Sequence, residues 1–216
     1  MLVGVAAVVA VAAAAAVAVV VLRGRGDDGL AGVDTPAEAR KLAARVALTP
    51  SDWGVGFQPS TPYETGEEPP SVADAHCAFV GSPDDDVLAR LERDSERRSP
   101  GVIAQSAVTV YRNDGSAQAD IARTRSDTQR CRTETDGKAR WEDVHEVEMA
   151  TPDGLDEVTA EEGRLVVSDT GESLDQPYTQ ITGRKDRIVL QAVVNGAPAE
   201  NRSAAVKALS EMLNRI

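Results

Sequence analysis

Residues 102–111 read VIAQSAVTVY, and this stretch decides the fold class. Ile103, Val108 and Val110 are β-branched, and such side chains favour a pleated, half-buried backbone, so the stretch predicts a β-strand. Asn113-Asp114-Gly115 follows and has the turn-forming side chains that end a strand. A helix is predicted after this turn, from about Ser116 to Glu134.

The predicted helix has a single stripe of apolar and small side chains at helical spacing. The stripe consists of Ala117, Ile121, Thr124, Thr128 and Cys131. Because residues three and four apart share one face of a helix, Cys131 is expected on the core side. A segment near Cys77 could meet it there, whereas the arginines of this helix lie mostly off the stripe and are predicted to be solvated.

A run of strands is predicted between Trp141 and Gly196. The segments are WEDVHEVEM (141–149), GRLVVSD (163–169), PYTQITG (177–183) and DRIVLQAVV (186–194). Residues 183–186 fit a hairpin loop between the last two strands. In the final strand one face is predicted to be apolar and to consist of Ile188, Leu190, Ala192 and Val194.

Helices are predicted at both ends of this region. Thr35-Pro36-Ala37-Glu38 has the residues of a capping box with proline in the first turn, and residues 49–52 predict a short second turn. The C-terminal helix is predicted from its apolar stripe of Ala205, Ala208, Leu209, Met212 and Ile216.

Two segments between the predicted helices and strands are less regular. Residues 58–74 are rich in proline, glycine and glutamate and predict an extended loop. Residues 82–86, Ser-Pro-Asp-Asp-Asp, predict a helix start, with Val87, Leu88 and Leu91 facing inward and the charged LERDSERR (91–98) facing outward. Calcium binding by the acids of 82–86 is a weaker interpretation, because the alternating acids and distal Glu of an EF-hand are missing.

This order of elements predicts one α+β domain over residues 35–216. Its antiparallel sheet would be packed by amphipathic helices on a face. The low aromatic content of 3% means that aliphatic side chains and alanine must form most of the core.

The N-terminal stretch Leu2–Leu22 contains 21 residues without a charge, nearly all Ala and Val. As a helix it would be about 30 Å long, enough for the hydrocarbon core of a bilayer, so residues 1–22 are predicted to form an uncleaved transmembrane anchor. A signal peptide is the alternative, although its apolar core usually has only about 7–15 residues. Residues 23–34 would form a juxtamembrane linker. Arg23 and Arg25 favour a cytoplasmic position for the linker under the positive-inside rule.

Charge and cysteine content limit the partners and the compartment. The whole chain has a net charge of −12, which disfavours nucleic acid as a partner. Cys77 and Cys131 are the two cysteines, and an even count beyond a membrane segment predicts a disulfide in an oxidising compartment. Two free buried thiols are the alternative.

No catalytic motif is recognisable in the sequence, which lacks G-x-S-x-G, H-E-x-x-H and a Walker loop. His76 and Cys77 are adjacent, so in an extended segment their side chains would point opposite ways. His76, Cys77, Cys131 and His145 are zinc-ligand types but lack the usual short spacings. We therefore expect no enzyme activity, no cofactor and no metal. Trp53, Phe57, Trp141 and Tyr178 are instead predicted to line a ligand cleft.

Several of these features together resemble a known family. They are LTP-DW-G (48–54), a loop that ends in Cys77, VTVYRNDGSAQA (108–119), the helix that carries Cys131, and RIVLQAVVNG (187–196). The region from Ala39 to Ile216 resembles the PknH-like extracellular sensor domain of actinobacteria, in a stand-alone, membrane-anchored form without a kinase segment. The resemblance implies that Cys77 pairs with Cys131, whereas a second disulfide of the family has no counterpart here.

The resemblance also implies an extracytoplasmic domain with a cleft for an unidentified ligand. The expected function is therefore that of a non-enzymatic, single-pass membrane protein whose C-terminal domain binds or senses a ligand outside the cytoplasm. The ligand would be a small molecule, a lipid or a cell-wall fragment. An envelope scaffold that binds another protein is the alternative.

Overall fold

The computed structural model describes residues 30, 32–66, 71–82, 84–99, 101–169 and 172–216. Asp34–Ile216 forms one compact unit. The predicted anchor over residues 1–22 and most of the linker lie outside the described residues. Among the residues that are described, no helix is long and apolar enough to cross a membrane.

The described chain contains four helices and ten strands in an α+β arrangement. The helices are α1 Pro36–Val46, α2 Pro50–Trp53, α3 Asp114–Arg130 and α4 Pro198–Leu213. The strands are β1 Gln58–Thr65, β2 Ser71–Ala73, β3 Phe79–Gly81, β4 Val87–Arg98, β5 Gly101–Tyr111, β6 Thr133–Thr135, β7 Ala139–Glu146, β8 Glu157–Asp169, β9 Glu172–Lys185 and β10 Ile188–Asn195.

Eight strands form one antiparallel sheet in the order β1-β4-β5-β10-β9-β8-β7-β6, and β2 and β3 form a separate hairpin. The two strands predicted most clearly, β5 and β10, lie side by side at the centre, in register from Ile188↔Val110 to Asn195↔Ile103. The predicted α+β class with an antiparallel sheet is therefore confirmed. The hairpin loop predicted over 183–186 is shorter, because β9 continues to Lys185.

Helices cover both faces of the sheet, so its central strands have buried side chains on both sides. On one face α1 contacts β4 and β5, and α4 contacts β9 and β10. The predicted face of β10 is buried there, as are Leu209 and Met212 of α4. On the other face α3 contacts β5 and β7–β10. Val189 and Val193, which the predicted alternation left out, are buried on this second face.

The helix predicted after residues 82–86 is wrong, because Val87–Arg98 forms strand β4. This segment pairs with β5 from Arg98↔Gly101 to Val87↔Tyr111, with one irregularity between Val87 and Ala89. The ladder satisfies the backbone hydrogen bonds of a segment whose Glu and Arg content favours a helix locally. The charged side chains therefore alternate between two faces of a sheet instead of covering one side of a helix.

The loop predicted over residues 58–74 is also partly wrong. Residues 58–65 form the edge strand β1 against β4, and residues 71–73 form β2 against β3. Pro59 and Pro62 are compatible with an edge strand, where the missing N–H costs no ladder bond on the open side. The predicted extended backbone is thus present, but it is paired.

The helix that follows β5 ends earlier than predicted, at Arg130. Cys131 leaves the helical conformation with φ −103° and ψ 103°, and residues 133–135 form β6. Ala117, Ile121, Thr128 and Cys131 of the predicted stripe are buried, as expected.

The capping box of α1 gives a direct test of the local sequence signals. Thr35 Oγ1 accepts from the Glu38 N–H at 3.3 Å, and Glu38 Oε2 accepts from the Thr35 N–H at 3.1 Å. Thr35→Ala should lower the free energy of unfolding by about 1 kcal/mol, because one N-terminal N–H group of the helix loses its partner. Urea denaturation measures this loss. Thr35→Ser keeps the hydroxyl and should stay close to the parent; an equal loss in both variants would contradict the capping role.

Candidate functional site

A cleft of about 410 Å³ lies on the α3 side of the large sheet. Strands β4, β5, β10, β9 and β8 form its floor, and α3 and the β2–β3 hairpin form its walls. Successive side chains of a strand point to opposite faces. Residues 103, 105, 107 and 109 of β5 therefore face the cleft, while the residues between them pack against the helices on the other side.

The floor side chains form transverse rows that the strand register defines. One row runs Asp94, Gln105, Val193, Gln180 and Glu161 across five strands. The next row runs Glu92, Ala107, Gln191, Thr182 and Thr159. Amides and hydroxyls thus occupy much of the middle of the floor, and carboxylates stand at its two ends.

At the β4 end, the carboxylates are held by side chains of β4 and β5. Arg90 pairs with Glu92 at 2.7 Å, and Gln105 Nε2 donates to Glu92 at 2.9 Å and to Asp94 Oδ1 at 3.0 Å. Burial raises the pKa of Asp94 to about 6, and the neighbouring negative charge of Glu92 acts in the same direction, while the bond from Gln105 opposes them. Asp94 is therefore the most weakly compensated carboxylate at this end.

At the opposite end, Glu161 and Glu134 are both buried. Thr128 donates to one oxygen of Glu161 at 2.5 Å, and the Tyr178 hydroxyl donates to the other at 3.1 Å. Burial raises the pKa of Glu161 in spite of these two bonds. Burial, followed by the negative charges of Glu161 and Asp127, raises the pKa of Glu134 to about 8. Glu134 therefore holds a proton at neutral pH.

Among the residues that line the cleft, two have a buried polar side-chain atom without a partner in the described part of the protein. Thr182 is 3% exposed and Asn195 is 6% exposed, and both residues line the cleft. The Thr182 hydroxyl and the Asn195 side-chain oxygen have no hydrogen-bond partner. Buried polar groups are almost always paired in folded proteins, so these two atoms mark a position for a ligand or for water.

The disulfide predicted from the sequence is present and attaches the hairpin wall to the end of α3. The Cys77 and Cys131 sulfurs are 2.04 Å apart, and the Cα atoms are 5.7 Å apart. Arg130 adds two bonds from the same end of α3, to the backbone oxygens of Asp74 at 2.8 Å and Ala73 at 3.1 Å. The hairpin wall therefore depends on the terminus of α3 for its position.

The structure brings two of the four predicted cleft residues to this face. Trp141 lines the cleft and meets Phe79 of the hairpin edge-to-face at 5.1 Å between ring centres. Tyr178 is buried on the cleft side of the sheet, where its hydroxyl holds Glu161. The other two, Trp53 and Phe57, lie together 6.4 Å apart near α2 and do not line the cleft. Contact of these four residues with a ligand stays a prediction.

Sequence reasoning missed the polar floor. The sequence predicts Glu92 and Asp94 on the outer side of a helix, and it predicts Gln105, Thr182 and Gln191 only as strand residues. Polar side chains at every second position of otherwise apolar central strands are the signal that could have identified them, since a buried face seldom alternates in this way without use.

His76, Cys77, Cys131 and His145, which have zinc-ligand side chains, do not form a zinc site, because both cysteines are joined in the disulfide. Among the residues that the structure describes, no three His, Cys, Asp or Glu side chains converge in a way that could hold a metal ion. Near the acids of 82–86, Asp86 accepts from Ser116 at 2.6 Å, which ties this turn to the first turn of α3.

The fold is similar to that of a solved extracellular domain. The structure of the extracellular domain of PknH from Mycobacterium tuberculosis superposes with a TM-score of 0.57 at 14% identity, covering 82% of this chain and 97% of that chain. This chain thus has the fold of the PknH extracellular domain, and the predicted resemblance is confirmed at the level of fold.

A second solved structure is more distant. It is that of an uncharacterised protein from Mycobacterium smegmatis, an Rv0999 ortholog, with a TM-score of 0.40 at 11% identity, covering 74% of this chain and 90% of that chain. No family model matches the sequence, and no curated protein matches it.

Proposed function

We propose that this chain is a non-enzymatic, sensor-like domain that binds a small ligand in the cleft between α3 and the sheet. The observation that carries the proposal is the pair of unpartnered buried atoms of Thr182 and Asn195 on the cleft floor. A bound molecule with complementary groups would satisfy them, because an unpaired buried polar group costs about 1–3 kcal/mol. The fold shared with the extracellular domain of PknH supports the same assignment.

The domain is proposed to work outside the cytoplasm, with residues 2–22 as its membrane anchor. The disulfide supports an oxidising compartment, since such bonds rarely persist in the cytosol. A reporter enzyme that is active only in the cytosol, fused after Ile216, should stay inactive. An active reporter would contradict the proposed location.

The proposal includes no catalysis. Both oxygens of Glu161 are engaged by Thr128 and Tyr178, and the cysteines are bonded to each other, which leaves neither group free as a general base or nucleophile. Incubation with each compound that binds, followed by mass spectrometry of that compound, should return it unchanged; steady conversion would contradict the proposal.

Ligand binding can be tested with a variant that fills the cleft. Gln191 lies in the middle of the floor, so Gln191→Trp should occupy the ligand's volume. A compound present at about 100 times its Kd should stabilise the parent by about 2.7 kcal/mol and leave Gln191→Trp unshifted in thermal denaturation. Lys207→Trp, on the exposed side of α4, is the matched control and should respond like the parent. An equal shift in both tryptophan variants would place binding outside the cleft.

The alternative of an envelope scaffold has less support. Val55 and Val80 are the exposed large hydrophobic side chains within the described ranges, whereas protein interfaces are usually centred on buried aromatic and arginine anchors. Stoichiometric capture of one protein partner by both the parent and Gln191→Trp, with no ligand response in either, would favour the scaffold.

A further inference from the structure

We infer that the cleft takes an elongated organic cation with several N–H donors, such as a linear polyamine, and that Asp94, Thr182 and Asn195 contact it. This inference rests on the proposed function and specifies the chemistry of its ligand. Four observations support it: the charge of the lining, the unpartnered acceptors, the Asp94 oxygen that has no donor, and the distance between acceptors across the floor.

The lining has an excess of negative side chains. Seven acidic and two basic residues line the cleft. Both basic residues already have acidic partners, since Arg90 pairs with Glu92 at 2.7 Å and Arg123 pairs with Asp120 at 2.5 Å. Asp127 pairs with Arg130 at 2.9 Å, and burial raises the pKa of Glu134 and Glu161 and favours their neutral forms. Asp94 and Asp136 are therefore the lining carboxylates without a basic partner among the described residues. In a partly buried site an opposite charge interacts more strongly than in water. The missing charge is therefore positive, and an anionic lipid headgroup would be repelled.

The unpartnered atoms of the floor specify the kind of group that would bind. An asparagine side-chain oxygen can only accept a hydrogen bond, and a threonine hydroxyl accepts as well as donates. The Asn195 oxygen therefore calls for a donor in the cleft, the Thr182 hydroxyl can accept from one as well, and an ammonium or guanidinium group supplies several. This observation is independent of the charge count and points to the same chemistry.

Asp94 is the carboxylate best placed to meet such a group. Gln105 donates to its Oδ1 at 3.0 Å, and Oδ2 has no donor among the described residues. Its neighbour Glu92 is already bound by Arg90 and Gln105. A ligand cation at Asp94 Oδ2 would complete the set of bonds without displacing a protein side chain.

The spacing of the acceptors favours a long molecule over a single ion. Asp94 on β4 and the unpartnered Thr182 on β9 are three inter-strand steps apart, which corresponds to about 14 Å across the floor. Gln105 of β5 and Gln191 of β10 lie on the two strands between them. A chain with amines along its length could reach both acceptors, whereas one metal ion needs ligands that converge.

Calorimetric titration of the parent protein with spermine, spermidine and 1,4-diaminobutane tests the inference. Affinity should increase with the number of amines, and 1,4-butanediol, a neutral analogue of the diamine, should not bind. Asp94→Asn should weaken spermine binding about tenfold, the size expected for one charge-assisted hydrogen bond, and Thr182→Val should weaken it by a smaller factor. Glu148→Gln removes one exposed acid outside the cleft and should leave the affinity within about twofold.

A second measurement does not depend on how well the variants fold. In the parent protein, spermine should shift the NMR signals of the side-chain amides of Gln105, Gln180 and Gln191. Equal weakening by Asp94→Asn and Glu148→Gln, or an absence of shifts at these amides, would show binding to the acidic surface in general and would overturn the inference.

The two proposals can fail separately. If no amine binds but another compound stabilises the parent and not Gln191→Trp, the cation inference is wrong and the ligand-binding function stands. If every stabilising compound acts equally on the parent and on Gln191→Trp, the proposed function itself is wrong.

Discussion

Replacing both Cys77 and Cys131 by alanine should lower the free energy of unfolding by about 4 kcal/mol. The disulfide joins residues 54 positions apart, so its removal restores a large amount of conformational entropy to the unfolded chain. Single domains usually have only about 5–15 kcal/mol of stability in total, and the variant should therefore be marginal at 37 °C. Alanine is the better replacement because Cys131 is fully buried, where a serine hydroxyl would need a partner.

Urea denaturation with and without a reducing agent measures this effect. The reduced parent should unfold at nearly the same urea concentration as the double-alanine variant, and reducing agent should have no effect on the variant. If the reduced parent and the double-alanine variant each lost under about 1 kcal/mol of unfolding free energy, the prediction would be wrong, because closing a loop of this length would then contribute little.

The same variant should also loosen the hairpin wall of the cleft. Strands β2 and β3 pair only with each other within the described residues, apart from one isolated bridge between Ala78 and Thr135. Without the disulfide, the hairpin keeps the Arg130 bonds and the contact of Phe79 with Trp141. In the variant, amide hydrogen exchange should therefore become faster in residues 71–81 and stay close to the parent rate in β5 and β10. Unchanged exchange in residues 71–81 would show that the Arg130 bonds alone hold the hairpin in place.

Local signals in the sequence predicted those parts of the fold that local physics decides. The capping box at Thr35 and Glu38 positions α1 by hydrogen bonds within four residues. β5 and β10 are recognisable because β-branched side chains dominate them, as the central position between two helical layers requires. The disulfide was predictable because the chain has two cysteines and one helical stripe points Cys131 inward.

Strand β4 was not predictable in this way, because its state depends on a partner. The segment LERDSERR has good helix formers, and only pairing with β1 and β5 and cover by α1 make it a strand. The error carried over to the site, since a helix would have turned Glu92 and Asp94 to solvent. Trp141 is predictable because tryptophan often lines ligand sites, but the polar rows of the floor can be recognised only when the strand register is known. Register is a tertiary property that one sequence seldom specifies.

The pH dependence of stability should be dominated near neutrality by Glu134. Burial and the neighbouring charges of Glu161 and Asp127 raise the pKa of this carboxyl to about 8, from a model-peptide value of 4.5, although Arg130 opposes the shift. Between these two values the folded protein keeps a proton that the unfolded chain has released. Its stabilising contribution is thus complete below pH 4.5 and is lost as the pH rises through about 8.

The parent should therefore lose about 3 kcal/mol of unfolding free energy between about pH 6 and pH 9 through this group. The carboxyl of Asp94, whose pKa is about 6, is half titrated at pH 6 and therefore adds to the slope up to about pH 7, above which Glu134 dominates. Glu161 also has a raised pKa and adds to the loss in the same direction.

Glu134→Gln should flatten this loss, because the amide resembles the protonated carboxyl and does not titrate. Urea denaturation at a series of pH values gives the slope, which is the informative quantity. A poor fit of the new amide would lower stability equally at every pH and leave the slope unaffected. Glu148→Gln, an exposed acid, should keep the slope of the parent. If Glu134→Gln kept it too, the protons held by the cleft would reside elsewhere, and Glu161 would be the next carboxyl to replace.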